Sequence, residues 1–210
     1  MNIPIGRMKK LNKGLLLVLS GPSGSGKGSI TKRLLDEPNI HLSISATTRT
    51  PRAGEKDGID YFFISKKDFQ EKIDNKDMLE YNEYCENFYG TPRKETLSCL
   101  EQGKDVILEI DVNGARQVQN CQRVVSIFIL PPSIETLEER LKNRGTETED
   151  VIRKRMNQAR EEIRQAFFYD YVIVNNTLEK AVQDVKDILN AEKHTVEYMK
   201  SKLKEVLEDE

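Results

Sequence analysis

The 210-residue sequence has no tryptophan, only two histidines and only three cysteines. His41 and His194 lie far apart, and Cys85, Cys99 and Cys121 are odd in number with no Cys-x-x-Cys spacing. That argues against a zinc cluster and a disulfide-stapled scaffold, and makes a reducing compartment, the cytoplasm, the expected setting. Long apolar runs are missing as well. None approaches the roughly 18 residues of a membrane span, so no membrane association is expected. Neither sign of charge dominates, with 33 Lys and Arg against 35 Asp and Glu. A chain so balanced is not expected to hold nucleic acid, and any positive site must be local. The opening residues place basic side chains before an apolar stretch, as a secretory leader does. The apolar part is confined to residues 15–19, with no Ala-x-Ala-like cleavage site after it. Residues 1–13 are therefore read as an N-terminal extension, within which Met8 is an alternative start to Met1.

Glycine is scarce too, 12 in all, yet Gly21, Gly24, Gly26 and Gly28 fall together in LSGPSGSGKGSI. Glycine inside an element is destabilising, so a cluster needs a reason. The stretch follows Leu15-Leu16-Leu17-Val18, and SITKRLL after it has a helical pattern. A strand that ends in a glycine loop and opens a helix turns its N–H groups onto an anion at the positive helix end. Gly21-x4-Gly26-Lys27 fits such a phosphate cradle, with Lys27 as a mobile charge for the β/γ-phosphates of a nucleotide. The bland alternative is a tight turn with a capping serine; the strand before and the helix after favour the cradle. One position departs from the motif. Residue 28 is Gly where Ser or Thr is called for, and the hydroxyl comes at Ser29. That shift weakens a direct serine–Mg²⁺ bond and points to a metal held through waters and nucleotide oxygens.

The length allows one substantial core. Short apolar runs alternate with helix-length patterns, which predicts an α/β fold around a mostly parallel sheet. Buried strands are expected at residues 15–19, 106–110, 124–130 and 171–174, with helices opening near Gly26, Asn113, Ser133 and Leu178. Ser133 reads as a helix cap. Two stretches depart from this alternation. Residues 46–103 offer shorter, aromatic-rich strands and a small helix at 66–73, an α+β insertion. Residues 140–157 place a polar break at 143–148 between two helices. A core with two mobile excursions is the plan of an enzyme that must shut out water. Beyond residue 190, Val196, Met199, Leu203 and Val206 recur at helical spacing. They predict a helix within 191–210 docked on the core or on a second copy of the chain, as in a homodimer.

Within the first excursion, TTRTPRAGEKDGIDYFF carries Arg49 and Arg52 around the stiffening Pro51. Guanidinium forks suit phosphate, and Glu55 is placed to hold one of them. By itself the segment also reads as an ordinary solvated loop. Joined to the glycine loop, Thr47-Thr48-Arg49-x2-Arg52-x2-Glu55-x2-Gly58-x2-Tyr61-x-Phe63 resembles the guanylate kinases, enzymes that phosphorylate GMP to GDP with ATP. The resemblance continues through NFYGTP, VILEIDVNGAR, LPPS, RGTETED and VIVN, from about Leu15 to Leu189.

That resemblance implies a P-loop NTPase three-layer sandwich over residues 14–190, with 46–103 as the GMP-binding region and 140–157 as a helical lid. ATP would lie on Gly21, Pro22, Ser23, Gly24, Ser25, Gly26, Lys27, Gly28 and Ser29, with Asn175 at the adenine. Asn176 stands where the family often has Asp, which leaves the charge of that contact open. The GMP phosphate would be bound by Arg49, Arg52, Tyr61 and Tyr89, with Glu55 beside them. Glu80 would face the guanine edge, helped by Ser45 and Thr91. Guanine offers donors at N1–H and the 2-amino group, whereas adenine would leave a buried carboxylate unpaired. Read from the residues alone, Glu80 is a strand carboxylate facing water. Glu109 and Asp111 flank Ile110 and share a face by strand alternation. The resemblance puts Glu109 near GMP and Asp111 near GMP or the metal shell. Arg144 and Arg155 would be lid arginines, although such a charge run by itself reads as a solvated helix face. Lys27, Arg52, Arg144 and Arg155 form the expected catalytic set. Mg²⁺ would accompany ATP near Ser29 and Asp111 through water, and dGMP is an expected second acceptor. The rival is a scaffold module that binds peptides on the former GMP face; retention of Lys27, Arg144 and Arg155 argues against it.

Overall fold

The computed structural model of the chain describes residues 14–84, 86–119, 124–143 and 149–208. Met1, Met8, Cys85, Cys121 and Arg144, with most of the expected break at 143–148, lie outside the described residues. The expected central strand is β1 (Leu16–Ser20), in the middle of a five-stranded parallel sheet. The order is β2 (Ile40–Leu42), β7 (Asp105–Glu109), β1, β8 (Val124–Leu130), β9 (Tyr171–Val174). Every residue of β1 is buried, because helices cover both faces of the sheet. Leu15, Leu17 and Leu19 pack on Ile30 and Leu34 of α1 (Lys27–Leu34) and on Ala181, Val185 and Leu189 of α7 (Leu178–Glu192). Leu16 and Val18 turn the other way, toward Leu100 of α3 (Arg93–Glu101) and Ala115 and Val118 of α4 (Val112–Val118). The three layers follow from that alternation.

β8 and β9 match their expected spans, and β1 and β7 differ from theirs by one residue. Ser133 caps α5 (Ile134–Lys142) by accepting the Thr136 N–H at 3.1 Å. The edge strand β2 went unpredicted: Ile-His-Leu has no apolar run, and only pairing with β7 extends it.

The insertion forms a second sheet, ordered β4 (Phe62–Phe63), β3 (Ala46–Thr47), β6 (Asn87–Pro92), β5 (Met78–Tyr84). It has its own small core of Ala46, Phe69 and Met78, with Phe69 of α2 (Lys66–Asp74) stacked on Phe88 at 5.4 Å. The second sheet ends at Pro92, since α3 returns to the main core through Leu97 and Leu100. The Gln117 side chain of α4 fastens the open edge of β5: Nε2 donates to the Tyr81 carbonyl (2.7 Å) and Oε1 accepts the Tyr81 N–H (3.2 Å).

α5 and α6 (Glu149–Arg164) share a cluster of Leu137, Leu141, Ile152 and Met156. The terminal helix is α8 (Val196–Glu208), and of its two expected docking sites the core is not met by the expected face. Val196, Met199, Leu203 and Val206 are exposed, and Tyr198 is the residue that packs on the main core. A break between α7 and α8, where Thr195 Oγ1 bonds the Glu192 carbonyl, reorients the helix. Among the described residues, no helix is long and apolar enough to cross a membrane.

Candidate active site

The site sits where parallel strands end, the usual ligand crevice of an open α/β sheet. Between β1 and α1 the loop needs glycine at particular points. Gly21 and Gly26 have φ of 144° and 97°, a region L side chains avoid. A Cβ on Gly21 would lie 2.3 Å from the Ile129 carbonyl oxygen, and one on Gly26 2.2 Å from Asn175 Nδ2. Gly28 is different: its Cβ would stand 3.7 Å from Glu109 Oε1, ordinary contact. Lys27 folds over the loop, its Nζ donating to the carbonyls of Gly21 (2.6 Å) and Pro22 (3.2 Å). Ser23, Gly24, Gly28 and Ser29 line a cavity of about 440 Å³ with Lys27 and Glu109. The pairing of Leu19 with Glu109 brings that carboxylate to the loop.

A second cavity, about 360 Å³, joins the loop to the second sheet. Gly21, Ser23 and Lys27 line it on one side, and Ser45, Tyr61, Glu80 and Tyr89 on the other. Glu109, Asp111 and Arg155 complete the set of expected residues on its wall. Arg155 Nη1 donates to Ser23 Oγ at 3.1 Å, so α6 reaches the glycine loop.

Glu80 is buried, not facing water. Thr91 Oγ1 donates to its Oε1 at 2.6 Å, across the β5–β6 pairing that sets the two residues opposite each other. Burial pushes the Glu80 carboxyl up to about 7, against the Thr91 hydrogen bond that favours the charged form. Gly114 is required beside it, because a Cβ there would lie 2.5 Å from Glu80 Oε2. Asp111 caps α4 rather than extending β7: its Oδ1 accepts from Asn113 N (3.0 Å) and Gly114 N (2.8 Å).

Arg49 is held as its partner residues suggested. Its Nη2 donates to Glu55 Oε1 at 2.9 Å, and the guanidinium lies 5.5 Å from the Tyr61 ring centroid. The Glu55 hydrogen bond raises Arg49 above its ordinary value, and the same bond lowers Glu55. Glu55 Oε2 also accepts the Arg52 N–H at 2.7 Å. Burial raises the Tyr61 phenol, and Tyr61 meets Tyr89 edge-on at 6.1 Å. The Arg52 side chain is exposed and is not on the cavity wall.

Asn175, expected at the adenine, lies behind the glycine loop. It is buried, and its Nδ2 donates to the Ser25 carbonyl at 2.8 Å, which props the loop from behind.

Among the wall residues that escaped the sequence reading are Asn82, Tyr84, Gln158 and Glu162. Strand alternation from Glu80 reaches 82 and 84, and helical spacing from Arg155 reaches 158 and 162, so a signal existed for each. The arrangement places the lysine-bearing glycine loop and a buried carboxylate on opposite sides of one cavity.

A family model for guanylate kinase matches residues 13–192. A guanylate kinase of Clostridioides difficile (strain 630) is 49% identical over 202 residues, which is 95% of this chain and 98% of that protein. One from Carboxydothermus hydrogenoformans is 51% identical over 185 residues, 87% of this chain and 91% of that protein. The crystal structure of guanylate kinase from Anaplasma phagocytophilum aligns with a TM-score of 0.72 at 38% identity, covering 87% of this chain and 88% of that one.

Proposed function

The chain belongs to the guanylate kinase family and phosphorylates GMP with ATP, and from that premise we propose how its own side chains divide the work. The observation that carries the reading is the buried Glu80 carboxylate on the cavity that Lys27 also lines. Glu80 accepts from guanine N1–H and the 2-amino group, while the Thr91 hydroxyl donates to its Oε1. An adenine there would present an acceptor at N1 and leave the carboxylate unpaired. Arg49, oriented by Glu55, grips the GMP phosphate with the Tyr61 and Tyr89 hydroxyls. Arg52 comes onto that phosphate from the adjacent loop, and Asp111 adds a second carboxylate at the guanine.

The accepting phosphate oxygen is already ionised, so transfer needs little acid–base help. Catalysis is alignment plus neutralisation of charge on the group in flight. Lys27 and the loop N–H groups hold the donor phosphates; Arg155, with Arg144 beyond the described residues, covers the transferring group. Glu109 lines both cavities and, with Ser29 near it, offers the hard oxygen donors that Mg²⁺ prefers. These groups would hold the ion's waters, and the ion would neutralise phosphate charge. dGMP serves as a second acceptor on this reading, since none of the roles given above uses the ribose 2′-hydroxyl. The enzyme works in the cytoplasm, where both nucleotides are found.

The test is ADP release with GMP, dGMP, AMP, CMP and UMP offered separately. Turnover is expected with the two guanine nucleotides alone, and Lys27→Ala is expected to lower it by about a hundredfold or more. Equal turnover with AMP would sink the role given to Glu80.

A further inference from the structure

β5 presents Glu80, Asn82 and Tyr84 to the cavity between the glycine loop and the second sheet, and Asn82 has no part in the roles assigned so far. Its Nδ2 donates to Asp111 Oδ2 at 2.7 Å. Asp111 Oδ1 is engaged by the N–H groups of Asn113 and Gly114. The Asp111 carboxylate is therefore held at both oxygens, one by its own helix and one by the second sheet. A carboxylate has about four acceptor sites, so Oδ2 keeps a lone pair for one more donor. Gly114 stands between this carboxylate and Glu80: its N–H bonds Asp111, and its missing side chain leaves room for Glu80 Oε2. Two fixed carboxylates of the cavity wall thus flank one bare α-carbon.

We propose that Asn82 is a specificity-determining positioning residue, which holds Asp111 so that the site reads the guanine 2-amino group and rejects a purine lacking it. This rests on the reading of Asp111 as facing guanine. The 2-amino group has two protons, one for each carboxylate. Inosine monophosphate keeps N1–H and the 6-oxo group but has no 2-amino group. A carboxylate free to rotate would turn to water when IMP binds; a fixed one keeps an unpaired lone pair at the base edge, and IMP is penalised.

The experiment compares kcat/KM for GMP and IMP at saturating ATP in the wild type, Asn82→Ala, Asp111→Asn and the exchange Asn82→Asp/Asp111→Asn. KM for ATP and thermal melting are measured alongside. Asn82→Ala is expected to lower the GMP-to-IMP ratio about tenfold, the worth of one hydrogen bond, through a lower KM for IMP. Its KM for ATP and its melting temperature should stay at wild-type values. The exchange restores a bond between the two elements with donor and acceptor swapped, and should keep the wild-type melting temperature without restoring the ratio. A ratio within about twofold of wild type in Asn82→Ala, or one recovered by the exchange, overturns the proposal and leaves Asn82 a structural tie. If Asp111→Asn lowers the ratio while Asn82→Ala does not, only the inference about Asn82 falls. If neither does, the guanine-facing reading of Asp111 falls with it.

Discussion

On the proposed reading, Glu80 carries both the specificity and the pH dependence expected at the scale of single residues. Guanine binds the carboxylate form, yet burial raises Glu80 to about 7. KM for GMP should therefore fall as pH rises toward 7 and level off above it, while KM for ATP stays flat. Thr91→Val removes the bond that favours the carboxylate, so it should move the midpoint of that profile upward. The comparison separates Glu80 from the GMP phosphate, whose own second ionisation lies at about pH 6 and is common to both proteins. Stability runs the other way. The folded value lies above the ordinary 4.5, so the folded chain binds this proton more tightly than the unfolded one. Glu80 then costs stability increasingly as pH rises from about 4.5 to about 7. Glu80→Gln should melt higher than the wild type at pH 8 while losing GMP turnover; a lower melting temperature there would contradict the assignment. None of this was visible from Glu80 and its neighbours in sequence, because burial comes from Thr91, Gly114 and the packing of α4.

The glycine loop shows the same division at the scale of elements. Its flanking strand, its glycines and its lysine were all legible, since a βα turn that receives phosphate is a local matter of backbone freedom. The prop behind it was not. Asn175 is 150 positions from the Ser25 carbonyl it bonds, and only the neighbouring order of β1, β8 and β9 brings them together. Asn175→Ala leaves that buried carbonyl unpaired and should cost about 1–3 kcal/mol in denaturant unfolding. KM for ATP should rise more than KM for GMP; an unchanged KM for ATP would return Asn175 to a purely structural part. Helix starts such as Ser133 were readable because capping is settled within a turn, whereas β2 exists only through its pairing with β7.

For the whole molecule, α8 is the element the fold depends on least. It has no buried residue among those described, and it packs on the main core through Tyr198. Truncation after Glu192 should leave GMP turnover at the wild-type level and lower the melting temperature by only about 2–4 °C, a change of the order of 1 kcal/mol. Light scattering on both forms tests whether the exposed Val196, Leu203 and Val206 join two copies: an equal mass per particle, corrected for the deletion, would end the homodimer expectation. The sequence by itself determined the three-layer α/β plan, the phosphate loop and the family. Alternation, glycine spacing and the long arginine–tyrosine signature are written in neighbouring residues. Only the tertiary structure decided that Glu80 is buried, that Asn82 holds Asp111, that Asn175 props the loop and that the apolar face of α8 looks outward. Each of these depends on residues tens of positions apart, and burial and hydrogen-bond partners at that range are set by how elements pack.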